Sequence, residues 1–476
     1  MEDSDLDLLV VAPPYISRED FFGSWADYLA TKPDVHCVHP IPEAYTPVLR
    51  FEVGSVSIDM LFVSLIDGGR LKAFEHNRVI APKGPINKGP ILRAKKRKEY
   101  QITDDDLKGQ DEAGLRSLNG ARVCQMLLEI VPDLDKYQVV LRAVKQWATR
   151  KGIYSNVLGF LGGVNWAILV ARVCCTHPRK ETATPAELLV AFFNIFANWS
   201  WPVPVLLTPI QLEPPPGVPK MRVWDPASSI HDPVESRRYA AEIMPIITPA
   251  YPSMNSAYNV AISQLHRIQD ELSKACHAIQ QLDFDQIFRP ADFFMQHETF
   301  LQVSIRAETR DDFVVWFRWV ESRLRFLINT LEAPPDVHAI PQSRFYYQAY
   351  NEDGKLLGSG QTSSPDAPHE ALFFIGLRGA PGIDLHMHTR PLVSGFLHQV
   401  NRWNKRNPES MSVGLDCVDA TDLPLFCFKS KSNDEELTAS TSHRSSECDS
   451  HFLGKVTPQT SQGSVDDDSF VSDLES

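Results

Sequence analysis

Apolar and polar positions change their period several times along this chain. Leu8-Leu9-Val10-Val11 is a short apolar run closed by Pro13-Pro14, while Val48-Leu49-Arg50-Phe51 and Val56 to Phe62 alternate as strands do. Between them, Ser17 to Leu29 has helical spacing and opens on Ser17-x-x-Asp20, a capping-type signal. Residues 1–67 therefore predict a small α/β unit. Residues 68–110 turn Gly/Pro/Lys-rich and carry the basic cluster Arg93-Ala94-Lys95-Lys96-Arg97-Lys98, the composition of an insertion and linker. Residues 111–282 predict a helical segment, with Val123, Leu127, Leu128 and Val131 and then Val140, Val144 and Trp147 at helical spacing.

Within residues 283–430 both periods return. Phe300 to Ile305 alternates, with Leu301, Val303 and Ile305 on one face. Phe313, Trp316, Phe317, Val320, Leu324, Leu327 and Leu331 keep the spacing of one helix. Strand-like runs at Phe345-Tyr346-Tyr347 and Leu372-Phe373-Phe374-Ile375 follow, and a last helix is predicted near Leu392–Trp403. A split-βαβ, ferredoxin-like sheet is the simplest architecture for that order. Residues 431–476 have too little apolar content to fold. The fold class is thus α+β with several domains.

Composition sharpens this picture in three ways. A chain of 476 residues, 43% hydrophobic, can bury two or three cores. No apolar run reaches the roughly 18 residues of a membrane-spanning helix, and the N-terminus lacks a secretory layout, so no membrane partner is expected. The eight cysteines never adopt C-x-x-C spacing and read as reduced thiols. The net charge of −13 is concentrated at the end: ten Asp/Glu against three Lys/Arg from Lys431 to Ser476 give that tail −7, leaving about −6 on the body. A mildly acidic body is compatible with a local basic groove for phosphate.

Candidate chemistry starts at Asp5-Leu6-Asp7, where strand alternation puts both carboxylates on one face. Asp59, inside the apolar run Ile58-Asp59-Met60, is a charge in a setting that normally demands a partner or a metal. If its strand lies beside the first, three carboxylates converge. Hard oxygen ligands suit Mg²⁺, and two ions about 3.5–4 Å apart would activate a hydroxyl and stabilise a leaving pyrophosphate. A D-x-D pair alone is more often a solvated strand end.

Several segments together resemble the eukaryotic poly(A) polymerase family. They are Ser4-Asp5-Leu6-Asp7-Leu8, Val11-Ala12-Pro13, Ile58-Asp59-Met60-Leu61-Phe62, Arg116-Ser117-Leu118-Asn119-Gly120, Leu141 to Ala148, Ile153 to Val164, and Ile246-Ile247-Thr248-Pro249-Ala250-Tyr251-Pro252. They stand in family order over residues 4–255, and a weaker likeness continues through Trp319-Val320-Glu321-Ser322. The resemblance implies a polymerase β-like nucleotidyltransferase domain, a helical central domain and an RNA-recognition-like third domain.

It also implies template-independent addition of AMP from ATP to RNA 3′ ends in the nucleus, with two Mg²⁺ or Mn²⁺ ions and cleavage/polyadenylation factors as partners. Asp5, Asp7 and Asp59 fall on the metal-binding carboxylates, Asp59 helping to deprotonate the primer hydroxyl. Leu6 lies between the first two in the ATP site. Lys145 matches a triphosphate contact, Tyr154 a phosphate and sugar contact, and Asn119 a ribose neighbour. Gly163 and Val164 match the pair that touches adenine, where a residue without a side chain lets backbone approach a flat base. Taken alone, Lys145 reads as a solvated helix lysine, and Gly159, Gly162 and Gly163 read equally well as a helix-packing turn.

The sequence departs from that pattern in two places. The family carries a helix and a Phe-Gly-Ser phosphate-binding turn just upstream of the first carboxylates, whereas Met1 stands four residues before Asp5. A reading frame that starts further upstream is the expectation, and a truncated, catalytically impaired paralogue serving as an RNA-binding scaffold is the alternative. The stretch Gly68–Lys98 also exceeds the family length, as a lineage-specific loop or a retained intron. Its basic run could contact RNA phosphate, act as an import signal, or be a solvated loop. A UTP-preferring terminal nucleotidyltransferase is a further alternative, against which Gly162-Gly163-Val164 speaks.

Overall fold

The computed structural model describes residues 6–54, 56–65, 101–333, 336–350, 367–424 and 427. Asp5, the Gly68–Lys98 stretch with its basic run, and the acidic tail lie outside the described residues.

The first sheet joins four strands in the order β1-β4-β3-β2: β1 (Leu6–Ala12), β2 (Val35–Ile41), β3 (Val48–Val53) and β4 (Val56–Ser64). β1 runs parallel to β4, and the other pairs are antiparallel. The predicted helix forms as α1 (Arg18–Asp20), a π turn (Phe21–Trp25) and α2 (Ala26–Ala30). Its N-terminus is held by the expected reciprocal cap, Asp20 N to Ser17 Oγ at 3.0 Å and Ser17 N to Asp20 Oδ2 at 2.9 Å. This helix covers one sheet face, where Phe21 stacks on Phe62 at 4.8 Å above Leu49, Phe51 and Ile58.

The opposite face carries Leu9, Val11, Val63 and Leu65 and packs under α3 (Glu112–Ile130) through Leu115 and Leu118. Asp111 caps α3 by accepting from Gly114 N at 2.7 Å and also pairs with Arg18 at 2.8 Å, fastening the sheet unit to the helical segment.

That segment continues with α4 (Leu134–Arg150), α5 (Gly163–Thr176), α6 (Pro185–Ala197), α7 (Pro233–Ala241), α8 (Ile262–Gln280) and α9 (Phe284–Phe288). Its centre is aromatic: Trp147 of α4 meets Trp166 of α5 at 5.8 Å and Phe193 of α6 at 5.0 Å, all fully buried.

The second sheet has the order β6-β8-β5-β9, with β7 also on β8: β5 (Thr299–Ala307), β6 (Val337–Pro341), β7 (Tyr346–Ala349), β8 (His369–Gly379) and β9 (Ser412–Asp419). Every pair is antiparallel. With α10 (Arg310–Glu321), α11 (Leu324–Leu331) and α12 (Leu385–Asn401), this is the ferredoxin-like order the sequence predicted.

Two details differ from expectation. The single helix predicted across Phe313–Leu331 breaks between Glu321 and Leu324, where the Arg323 guanidinium lies 3.1 Å from the Trp319 ring centroid. The last helix starts seven residues early and contains Pro391, which had masked its first turns.

α10 to α12 bury Leu301, Val303 and Ile305 against Trp316, Leu327 and Phe396. On the other sheet face Phe293 and Phe294 pack on the fully buried Phe300 and Phe374, while Gln302, Ser304 and Arg306 are half-buried.

Candidate functional site

Strand alternation and register decide where the carboxylates stand. On β1, Leu8 and Val10 face the α1–α2 side, so Asp7 shares the α3 side with Leu9 and Val11. On β4, Ile58, Met60 and Phe62 face α1–α2, and Asp59 shares the α3 side with Val63 and Leu65. Asp7 pairs with Asp59 in register across the parallel ladder, so the two carboxylates sit side by side on one face. The next strand puts Arg50 directly opposite Asp59. Its Nε donates to both Asp59 oxygens at 3.1 Å.

No sequence argument had given Arg50 a role. A charged residue within Val48–Phe51 was visible, but its partner depends on the pairing register. Asp5 lies outside the described residues, and among the described residues no group of three or more His, Cys, Asp or Glu side chains gathers as a metal site. The donor chemistry of the pair still fits a hard divalent cation: two adjacent carboxylates repel one another unless positive charge lies between them.

α3 passes over this end of the sheet and ties it to the helical segment. Its Cys124 thiol is raised above the usual range by desolvation first and by Asp7 next, with Lys145 opposing. Asn119, one helical turn earlier on α3, has a buried Oδ1 with no hydrogen-bond partner among the described residues. A buried acceptor left unpaired is costly, and an incoming hydroxyl or amine would satisfy it.

Lys145 leaves α4 on the face away from the buried Val140, Val144 and Trp147. Desolvation lowers its ammonium pKa, and the neighbouring Cys124 partly offsets this. It is half-buried, unlike the solvated lysine that composition alone suggested. Tyr154 follows α4 and bridges to Leu161; desolvation raises its phenol, which stays protonated.

Gly163 opens α5. A Cβ built there would stand 3.0 Å from Tyr154 Oη and 3.4 Å from Lys145 Nζ. Lys145, Tyr154 and Gly163 are therefore brought together, with Val164 beside them, 38% exposed. The helix start is rigid: Gly162 N donates to Asn165 Oδ1 at 2.7 Å, and the buried Asn165 donates to Ser256 Oγ at 2.8 Å. Asn165 and Ser256 were not singled out from sequence, since nothing local marks an asparagine as a brace. A half-buried ammonium, a phenol and the amino end of a 14-residue helix form a place for anionic oxygens.

Residues 1–67 match the family model described as Poly(A) polymerase nucleotidyltransferase domain, residues 136–289 the Poly(A) polymerase central domain, and residues 292–356 the Poly(A) polymerase predicted RNA binding domain. Nuclear poly(A) polymerase 1 of Arabidopsis thaliana is 33% identical over 437 residues, 89% of this chain and 53% of that protein. Poly(A) polymerase of Dictyostelium discoideum is 30% identical over 436 residues, 89% and 48% of the two chains. The chain spans about half the length of the curated relatives it matches. A solved Cid1 poly(U) polymerase is 15% identical with a TM-score of 0.35, covering 60% of this chain and 81% of that one, too remote to bear on the choice of nucleotide.

Proposed function

Because this chain belongs to the eukaryotic poly(A) polymerase family, we propose that it adds AMP from ATP to RNA 3′ ends without a template and releases pyrophosphate. The observation that carries the reading is the register of β1 on β4, which sets Asp7 beside Asp59 on one sheet face; Lys145, Tyr154 and Gly163 gather as a second cluster. Asp5, Asp7 and Asp59 would hold two ions, Mg²⁺ or Mn²⁺, with Leu6 between the first two in the ATP site. When bound, the ions supply Lewis-acid activation of the attacking hydroxyl and charge stabilisation on the leaving phosphates.

The remaining work falls to side chains of this chain. Asp59 accepts the proton of the primer 3′-hydroxyl as its oxygen bonds to the α-phosphorus and the bond to pyrophosphate breaks. Arg50 fixes the orientation of that carboxylate. Lys145 sets a positive charge against the triphosphate, where partial burial strengthens the contact. Tyr154 donates to phosphate or sugar, and the buried Asn119 Oδ1 accepts from a ribose hydroxyl. Gly163 lets backbone approach the adenine while Val164 packs on it.

We read residues 1–67 as the catalytic unit, 68–110 as insertion and linker, 111–282 as the central domain, 283–430 as the RNA-binding domain and 431–476 as a tail. With Phe300 and Phe374 covered by Phe293 and Phe294, RNA is held by its backbone rather than by stacked bases. The relatives named nuclear support a nuclear location, where cleavage/polyadenylation factors would be partners. A tagged chain found only in the cytoplasm would remove that part.

Primer extension on labelled oligo(A) with each of the four NTPs, in Mg²⁺ or Mn²⁺, tests the activity. ATP alone should support extension, and Asp59→Ala should lower it by at least about a hundredfold with an unchanged unfolding midpoint, since the freed Arg50 is 45% exposed and stays solvated. Extension with UTP instead would identify a uridylyltransferase. RNA retention without extension by any NTP would favour the scaffold reading.

A further inference from the structure

Arg325 belongs to the second-sheet region, yet its guanidinium reaches into the helical segment. Leu324, Leu327, Ile328 and Leu331 form the buried stripe of α11, which turns Arg325 away from that core. Its Nη1 donates to Asn259 Oδ1 at 3.0 Å. Asn259 lies just before α8, against the turn that leads into α5. Its Nδ2 donates to Asn156 O at 3.5 Å. Its carbonyl oxygen would stand 2.9 Å from a Cβ at Gly159, whose φ is +79°. Gln264, near the start of α8, adds a bond from Nε2 to Leu158 O at 3.4 Å. The side chain of Asn156 in turn lies 3.3 Å from where Gly162, the N-cap of α5, would carry a Cβ. A continuous series of contacts therefore runs from α11 to Gly163.

We infer that Arg325 is a positioning residue for the nucleotide site, holding the Asn156–Gly163 turn in place through Asn259. Within the turn the backbone bonds are Gly159 N to Asn156 O at 3.2 Å and Phe160 N to Ser155 O at 2.9 Å, and its C-terminal end is held by the Tyr154–Leu161 bridge and by Gly162 N to Asn165 Oδ1 at 2.7 Å. The bonds that reach it from α8 and Asn259 are long. The charge-assisted bond from Arg325 is the short one in the series, and such bonds are roughly twice as strong as neutral ones. Donor and acceptor belong to different segments of the fold, so displacement of α11 moves the turn against which the base is to lie. A small misplacement at such a site weakens nucleotide binding strongly. The choice of ATP as the nucleotide rests on the function proposed above; the positioning of the turn does not.

The test uses the full chain with Arg325→Ala, Arg325→Lys, Asn259→Ala and the Arg325→Ala/Asn259→Ala double variant. Amide hydrogen exchange of residues 154–163 is read first, because it needs neither ATP nor activity. Arg325→Ala should speed exchange there while leaving α6 unchanged, and Arg325→Lys should restore part of the protection. In steady-state extension, Arg325→Ala should raise the KM for ATP about tenfold, the equivalent of one lost charge-assisted bond, with kcat and the RNA KM within about twofold. The double variant should be no worse than either single one, since both break the same series of contacts. Unchanged exchange at 154–163, additive effects, or a change confined to the RNA KM would each overturn the inference. An inactive wild type whose exchange still responds would instead count against the proposed activity and leave the positioning role standing.

Discussion

A methyl group on Gly163 would press on the Tyr154 hydroxyl at 3.0 Å and crowd the Lys145 ammonium at 3.4 Å. Both neighbours are ends of side chains and can give by a few tenths of an ångström, so Gly163→Ala should fold with a nearly unchanged melting temperature. The shifted phenol and ammonium should raise the KM for ATP about tenfold, which steady-state extension would measure; an unaltered KM would show that the glycine serves only helix packing. At this scale the sequence was informative wherever a residue type matters by itself. Asp7 and Asp59 were singled out by residue type and spacing, while Lys145, Tyr154 and Gly163 came only with the family resemblance; the structure sets the first two side by side and the last three in contact range. Arg50, Asn165, Asn259 and Arg325 were not singled out, because each acts through a partner 3 to 103 residues away in sequence. Nothing in a single sequence names such partners.

At the scale of elements, β8 and the segment before β5 meet very closely. The His297 ring lies over Gly376, and a Cβ there would fall 2.4 Å from its Cδ2. Burial, reinforced by Arg378 and Arg267, lowers the His297 imidazole to about 4. A histidine held neutral in this way contributes stability above its unfolded value near 6.5, and that contribution is lost as pH falls through the folded value. Urea unfolding should therefore show a loss of up to about 3 kcal/mol between pH 6.5 and 4 from this residue, and His297→Gln should flatten the slope in that window. An unchanged slope would mean the ring is hydrated in solution.

Element type was legible where period is strong, as in β1, β4, α3 and α4. β2 was missed: it is an edge strand with Pro40 and a register shift between His36 and His39, which break the alternation. The α10–α11 break was also invisible, since Val320 and Leu324 keep helical spacing across it.

At the scale of the whole molecule, buried charges join segments that periodicity treats separately. Glu271 on α8 is 2% exposed and meets Arg267 and Lys274 at 3.1 Å and Lys151, just past α4, at 3.8 Å. Arg267 continues to Gln296 at 2.6 Å, at the threshold of the second sheet. Glu271→Ala should cost about 3 kcal/mol, because the buried Lys151 loses its carboxylate and Arg267 the nearer of its two, keeping Asp270 at 3.7 Å. Chemical denaturation would read this, and a loss below about 1 kcal/mol would show that water reaches the cluster. By itself the sequence determined the class of fold, the strands and helices with clean periods, and the residues whose chemistry singles them out, because those properties depend on local spacing and residue type. Only the tertiary structure decided that Asp7 stands against Asp59 with Arg50 across from it, that Phe293 and Phe294 cover Phe300 and Phe374, and that Arg325 reaches Asn259. Each of these depends on strand register or on packing between distant segments, and both are set by the sum of contacts across the molecule rather than by any stretch of the chain.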